Sequence, residues 1–102
     1  MTGIAEPGFQ LDTSGEDSLA VSGVLSFDTA AAALLAIRDA LVTGRQTRLD
    51  LSRVRQSDSA GLACVLASVA EASRRGRPLQ VAHMPAGMLA LARVCGVDEL
   101  MP

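Results

Sequence analysis

The sequence predicts a single α/β domain spanning residues 1–102, and three features carry that prediction. Segments in which apolar and polar residues alternate give way to segments with apolar residues spaced by three and four, in the order strand, strand, helix, strand, helix, strand, helix. Such an order lays crossover helices over a sheet. The 102 residues suit one core and leave no room for a separate catalytic domain. Finally, 49% of the residues are hydrophobic but only Phe9 and Phe27 are aromatic, so the core must be built from Ala, Leu, Val and Ile, a composition suited to helices packed on a sheet.

Phe9 and Leu11, the polar turn Ser14-Gly15-Glu16-Asp17, and then Leu19, Val21 and Val24 read as two short strands joined in a hairpin. From Phe27 to Val42 the apolar positions Ala30, Ala33, Leu34, Ile37 and Leu41 mark an amphipathic helix, capped by Ser26 or Asp28 and ended near Gly44. Leu49, Leu51 and Val54 make a short strand whose polar neighbours face away or lie at an edge. Leu62, Val65, Leu66, Val69 and Ala70 then define the buried stripe of a second helix reaching Arg75, where Gly76 supplies a left-handed terminator. Pro78 opens the next strand, with Leu79 and Val81 alternating about Gln80. Pro85 starts a third helix carrying Met88, Leu89, Ala92 and Cys95, and Gly96 stops it.

Composition narrows the function. No apolar run approaches the ~20 residues needed to cross a bilayer, and the first residues, with Glu6 and Pro7, lack a basic segment followed by an apolar one. A soluble, cytoplasmic protein with no direct membrane insertion is expected. The net charge of −2 argues against nucleic acid as a partner, because neutralising phosphates needs a basic surface. All nine basic residues are Arg, and all but Arg38 lie from Arg45 onward. Arg74, Arg75 and Arg77 mark the end of the second helix, which its dipole favours. Arg45, Arg48, Arg53 and Arg55 form either a solvated face or a docking surface for an acidic partner. Cys64 and Cys95 lack a CxxC spacing and have only His83 as a further soft ligand, so both read as buried thiols, with no metal and no cofactor expected. No P-loop is present and there is no Lys at all. A lone His83 far along the chain from Ser59 is a weak catalytic pair, so the chain reads as a non-enzyme.

The most informative segment is Asp58-Ser59-Ala60-Gly61-Leu62, at the junction of the third strand and the second helix. It places a hydroxyl at a helix N-terminus, where amide N–H groups and the positive end of the dipole converge. Two readings stand side by side. Ser57, Asp58 and Ser59 are all good N-cap residues, and capping alone explains them. The same end also accepts a phosphate or a partner's carboxylate. Gly61 costs a helix about 0.5–1 kcal/mol relative to Ala, so something approaches its backbone closely, either a strand beneath or a partner above.

Leu49-Asp50-Leu51-Ser52 followed by Asp58-Ser59-Ala60-Gly61-Leu62 resembles the signature of STAS domains, a family that includes anti-sigma factor antagonists. The likeness runs in order over almost the whole chain. It implies a small mixed β-sheet of four to five strands packed against about three to four helices. It also makes the Asp58–Leu62 segment a partner-binding surface, with Ser59 matching the functional hydroxyl. Two branches imply different partners. In antagonists the matching hydroxyl is phosphorylated by an anti-sigma factor kinase, which switches binding off. In the STAS subunit of the Mla lipid-asymmetry ABC transporter it contacts the cytoplasmic ATPase, and through it the membrane permease. Antagonists carry Gly-Glu-Leu-Asp before the first helix, whereas this chain has Gly23-Val24-Leu25-Ser26 and lacks both acids. Ser26-Phe27-Asp28-Thr29-Ala30 and Asp50-Leu51-Ser52-Arg53-Val54 are similar to the transporter subunits. The resemblance therefore implies a cytoplasmic accessory subunit held at the inner membrane by its ATPase partner.

Overall fold

The computed structural model describes residues 8–100. Strands β1 (Phe9–Asp12) and β2 (Ser18–Leu25) form the expected hairpin, and β2 leads through α1 (Ala30–Thr43) into β3 (Arg48–Ser57). Helix α2 (Ser59–Arg74), β4 (Gln80–Ala82), α3 (Ala86–Val94) and a 3₁₀ turn at Asp98–Leu100 complete the chain. The sheet order is β1-β2-β3-β4, antiparallel between β1 and β2 and parallel elsewhere, so the mixed α/β architecture expected from the sequence is the one observed. Helices α1 and α2 serve as the two crossovers and pack against each other and the sheet.

The core lies between sheet and helices. Leu19, Val21, Leu25, Leu49, Leu51 and Val54 meet Ala33, Ile37, Leu41, Leu62, Val65 and Ala72, with Leu79, Met88 and Ala92 closing one side. Alanines at the helix contact positions let the backbones approach closely, which is how a core without buried aromatics fills.

Several local expectations change. Strand β3 is 10 residues long rather than short, and because it is central its polar residues face away from the core, the first of the two alternatives, rather than lie at an edge. Two irregularities explain why a strict alternation did not reveal its length. Between Ala20 and Ser22 of β2 the facing strand advances from Asp50 to Arg53, and between Gly23 and Val24 it advances from Val54 to Gln56. Each inserts one extra residue into β3, as a bulge does. Helix α1 begins at Ala30, three residues after Phe27, and neither Ser26 nor Asp28 caps it with a side chain. Thr29 holds the turn instead, donating its hydroxyl to the Val24 carbonyl at 2.8 Å and accepting the Ser26 amide at 2.9 Å. β4 starts at Gln80 rather than Pro78, since Pro has no N–H for the ladder, and the Gln80 amide donates to the Thr47 carbonyl. Cys64 is buried as expected, but Cys95, the residue that caps the C-terminal end of α3, is exposed. Gly76 and Gly96 adopt the left-handed conformation (φ 72° for both) that ends α2 and α3.

Candidate partner-docking site

Asp58 is the cap of α2. One carboxylate oxygen accepts the Ala60 amide at 2.9 Å and the Gly61 amide at 3.1 Å, while the other accepts the Phe27 amide at 3.0 Å from across the sheet end. The Phe27 amide first, then those of Gly61 and Ala60, hold its carboxyl below the usual carboxylate range. Of the two readings of this helix end, capping is the one realised: the Ala60 and Gly61 amides serve a carboxylate of the chain itself. A phosphate arriving there would compete with Asp58 for the same donors and meet its charge.

Ser59 is the first helical residue, exposed, and its hydroxyl makes no hydrogen bond with another described residue. Ala60 is half-buried beside it. Gly61 and Leu62 are buried. A Cβ built on Gly61 would stand 2.1 Å from the Leu25 carbonyl oxygen and 2.9 Å from its carbon, so the close approach inferred for Gly61 is made by the end of β2 beneath it. Of the five residues singled out, Asp58 organises, Gly61 and Leu62 pack, and Ser59 with Ala60 reaches the surface.

Phe27 is the residue that sequence reasoning missed. Read as the start of a helix, it lies in the turn before α1 with 82% of its surface exposed. Two hydrogen-bonded neighbours fix its backbone, Asp58 at its own amide and Thr29 at the amide before it. Its ring rims a shallow apolar groove of about 420 Å³ between α1 and α2, floored by Ala31, Leu34, Ala60, Ala63 and Ala67. The available signal was the capping-type pair Asp28-Thr29 directly after it, which places Phe27 before the helix rather than on its apolar stripe. An exposed aromatic beside small apolar residues is the composition of a protein contact centre.

The basic residues do not form one patch. Arg45 lies in the α1–β3 connection, Arg48 starts β3, and Arg53 and Arg55 project from the sheet face that carries no helix. Arg74 and Arg75 both bind Glu71, at 2.5 and 3.0 Å. Arg77 does not extend that end. It donates to the Leu41 carbonyl and the Gly44 carbonyl, both at 2.6 Å, and so caps α1. His83, with φ 58°, sits on the β4–α3 turn, one residue past the Ala82 that pairs with Asp50. Among the described residues no group of three or more His, Cys, Asp or Glu side chains is placed to hold a metal ion, and no helix is long and apolar enough to cross a membrane.

The model of the family described as "Mlab, STAS domain" matches residues 9–102. The chain belongs to that STAS family. STAS domains act through protein–protein contacts, in keeping with a surface whose exposed feature is a hydroxyl beside an aromatic ring. Solved structures agree on the fold. The anti-sigma factor antagonist SpoIIAA in its unphosphorylated form aligns with a TM-score of 0.69 at 18% identity, covering 92% of this chain and 85% of that one. The Bacillus cell fate determinant SpoIIAA in the phosphorylated form aligns at 0.65 and 19% identity, covering 92% and 88%. No curated protein sequence matches this STAS domain.

Proposed function

We propose that this STAS domain is a cytoplasmic accessory subunit that binds and supports the ATPase of a Mla-type ABC phospholipid transporter, which maintains outer-membrane lipid asymmetry. The observation that carries the reading is the match to the Mlab STAS family over nearly the whole chain. The site suits a standing contact. Ser59 offers a hydroxyl without a partner among the described residues, Phe27 an exposed ring on a backbone whose amide Asp58 accepts, and the α1–α2 groove a slot for apolar side chains of the ATPase. The ATPase supplies nucleotide chemistry and the permease the lipid path, while this chain contributes position and no reaction.

The test is recovery from native cells. A tagged chain is expected to bring down an ABC ATPase and its permease, and Phe27→Ala or Ser59→Ala to bring down less of both. A strain lacking the gene is expected to lose outer-membrane detergent resistance. Recovery of a histidine-kinase-like anti-sigma factor instead overturns the reading.

A second reading, an anti-sigma factor antagonist switched by phosphorylation of Ser59, is favoured by the likeness to SpoIIAA in both its forms. Against it, Val24 and Ser26 occupy the positions where antagonists carry acids. Intact mass of protein from its native cells decides: no phosphate is expected, and a substantial fraction phosphorylated at Ser59 restores this reading.

A further inference from the structure

Among the described residues, the sheet face opposite the helices is uncovered, and it is banded by charge. Strand register places Asp12, Ala20, Asp50 and Ala82 in one row across the strands, and Gln10, Ser22 and Arg53 in the next. Arg53 and Arg55 line an open cleft of about 430 Å³ with Gln10, Ser22 and the Gly23 backbone. Among the described residues neither guanidinium has a carboxylate within salt-bridge distance, whereas Arg74 and Arg75 are paired and Arg77 is engaged as a cap.

The strand departs from regular geometry to put them there. Leu49 and Leu51 point into the core, and unbroken alternation would send Arg53 and Arg55 after them. The first bulge resets the register, so that Val54 turns inward and both arginines turn out; bulges re-aim side chains in this way beside functional sites.

We propose that this cleft is a second docking surface, separate from the Ser59 end, that takes an acidic peptide segment of a partner protein, its carboxylates seated on Arg53 and Arg55. A planar guanidinium pairs with a carboxylate through two parallel hydrogen bonds, and the Gln10 amide and Ser22 hydroxyl offer further donors. The banding selects a peptide over a lipid surface. A flat anionic membrane laid on this face would press its charge fully against Asp12 and Asp50, which Arg53 only partly offsets, whereas a narrow segment can lie along Arg53 and Arg55 to one side of the acidic row. The proposal does not depend on the identity of the partner that binds at Ser59.

Titration of the isotope-labelled full chain with a hexaglutamate peptide, followed by NMR, tests it. Shifts are expected to concentrate on Gln10, Ser22, Gly23, Arg53 and Arg55. Arg53→Ala with Arg55→Ala is expected to weaken binding about ten-fold or more, while Arg48→Ala and Ser59→Ala leave it unchanged. Both arginines are exposed, so the double variant is expected to keep the wild-type circular dichroism spectrum. Shifts spread over Arg45, Arg48, Arg74 and Arg75, or affinity unaffected by the double variant, overturn the proposal. So does an equal response to inorganic phosphate, which assigns a small-anion site, or Arg53-dependent sedimentation with phosphatidylglycerol vesicles, which assigns lipid.

Discussion

The two ends of α2 carry polar residues in similar density but use them differently. At the C-terminal end Arg74 and Arg75 close on Glu71 and Arg77 reaches back to α1, so the charged groups of that end are engaged with the protein itself even where, as at Arg74, they stay at the surface. At the N-terminal end a single carboxylate, Asp58, ties three amides together and leaves the Ser59 hydroxyl and the Phe27 ring exposed, the hydroxyl without a hydrogen-bond partner among the described residues. An end rich in arginine is thus scaffold, and an end with one exposed hydroxyl and one exposed ring is available. Availability follows from which groups lack a partner, and charge density is a poor guide to it.

The sharpest way to break this contrast is Gly61→Ala. Its Cβ cannot be placed without moving the Leu25 backbone, so α2 must lift from β2. Overpacking of this kind costs about 1–3 kcal/mol, and in a domain of this size each kcal/mol lowers the melting temperature by roughly 4–8 °C. An unchanged melting temperature would mean that the helix end floats above the sheet and that the division into packing and contact residues fails.

Phe27→Ala separates the two roles from the other side. If Phe27 is the anchor proposed, its removal is expected to weaken partner binding by about 2 kcal/mol or more, while stability moves within about 0.5 kcal/mol because the ring is exposed. Calorimetry with the recovered partner and thermal melting of the free chain read the two numbers.

Asp58 gives a pH signature. Its folded-state carboxyl is held below the ordinary value, so the stability it contributes is present above the unfolded pKa of about 3.9 and is lost as pH falls through the lower folded value. Urea unfolding between neutral pH and the acid range is expected to show a shallower fall for Asp58→Asn than for wild type. Parallel profiles would remove Asp58 from its organising place.

The smallest effect belongs to Ser59→Ala. Because Asp58 supplies the cap, the change is expected to alter stability by less than about 0.5 kcal/mol, with a circular dichroism spectrum like that of wild type. A larger loss would make Ser59 part of the scaffold.

The sequence by itself determined the order of elements, the hairpin, the stop signals at Gly76 and Gly96 and the strand-to-helix junction at Asp58–Leu62. Each depends on residues within a few positions of one another, through alternation, three-and-four spacing or turn chemistry. What only the tertiary structure decided depends on residues far apart in the chain. Asp58 is chosen over Ser57 and Ser59 as cap because it alone also reaches Phe27, 31 positions away. Gly61 is required because β2 ends directly beneath it, and Arg77 belongs to α1 because the carbonyls of Leu41 and Gly44 come within reach. Arg53 faces outward because β3 gains a residue against β2, a shift set by pairing between strands that local periodicity does not encode.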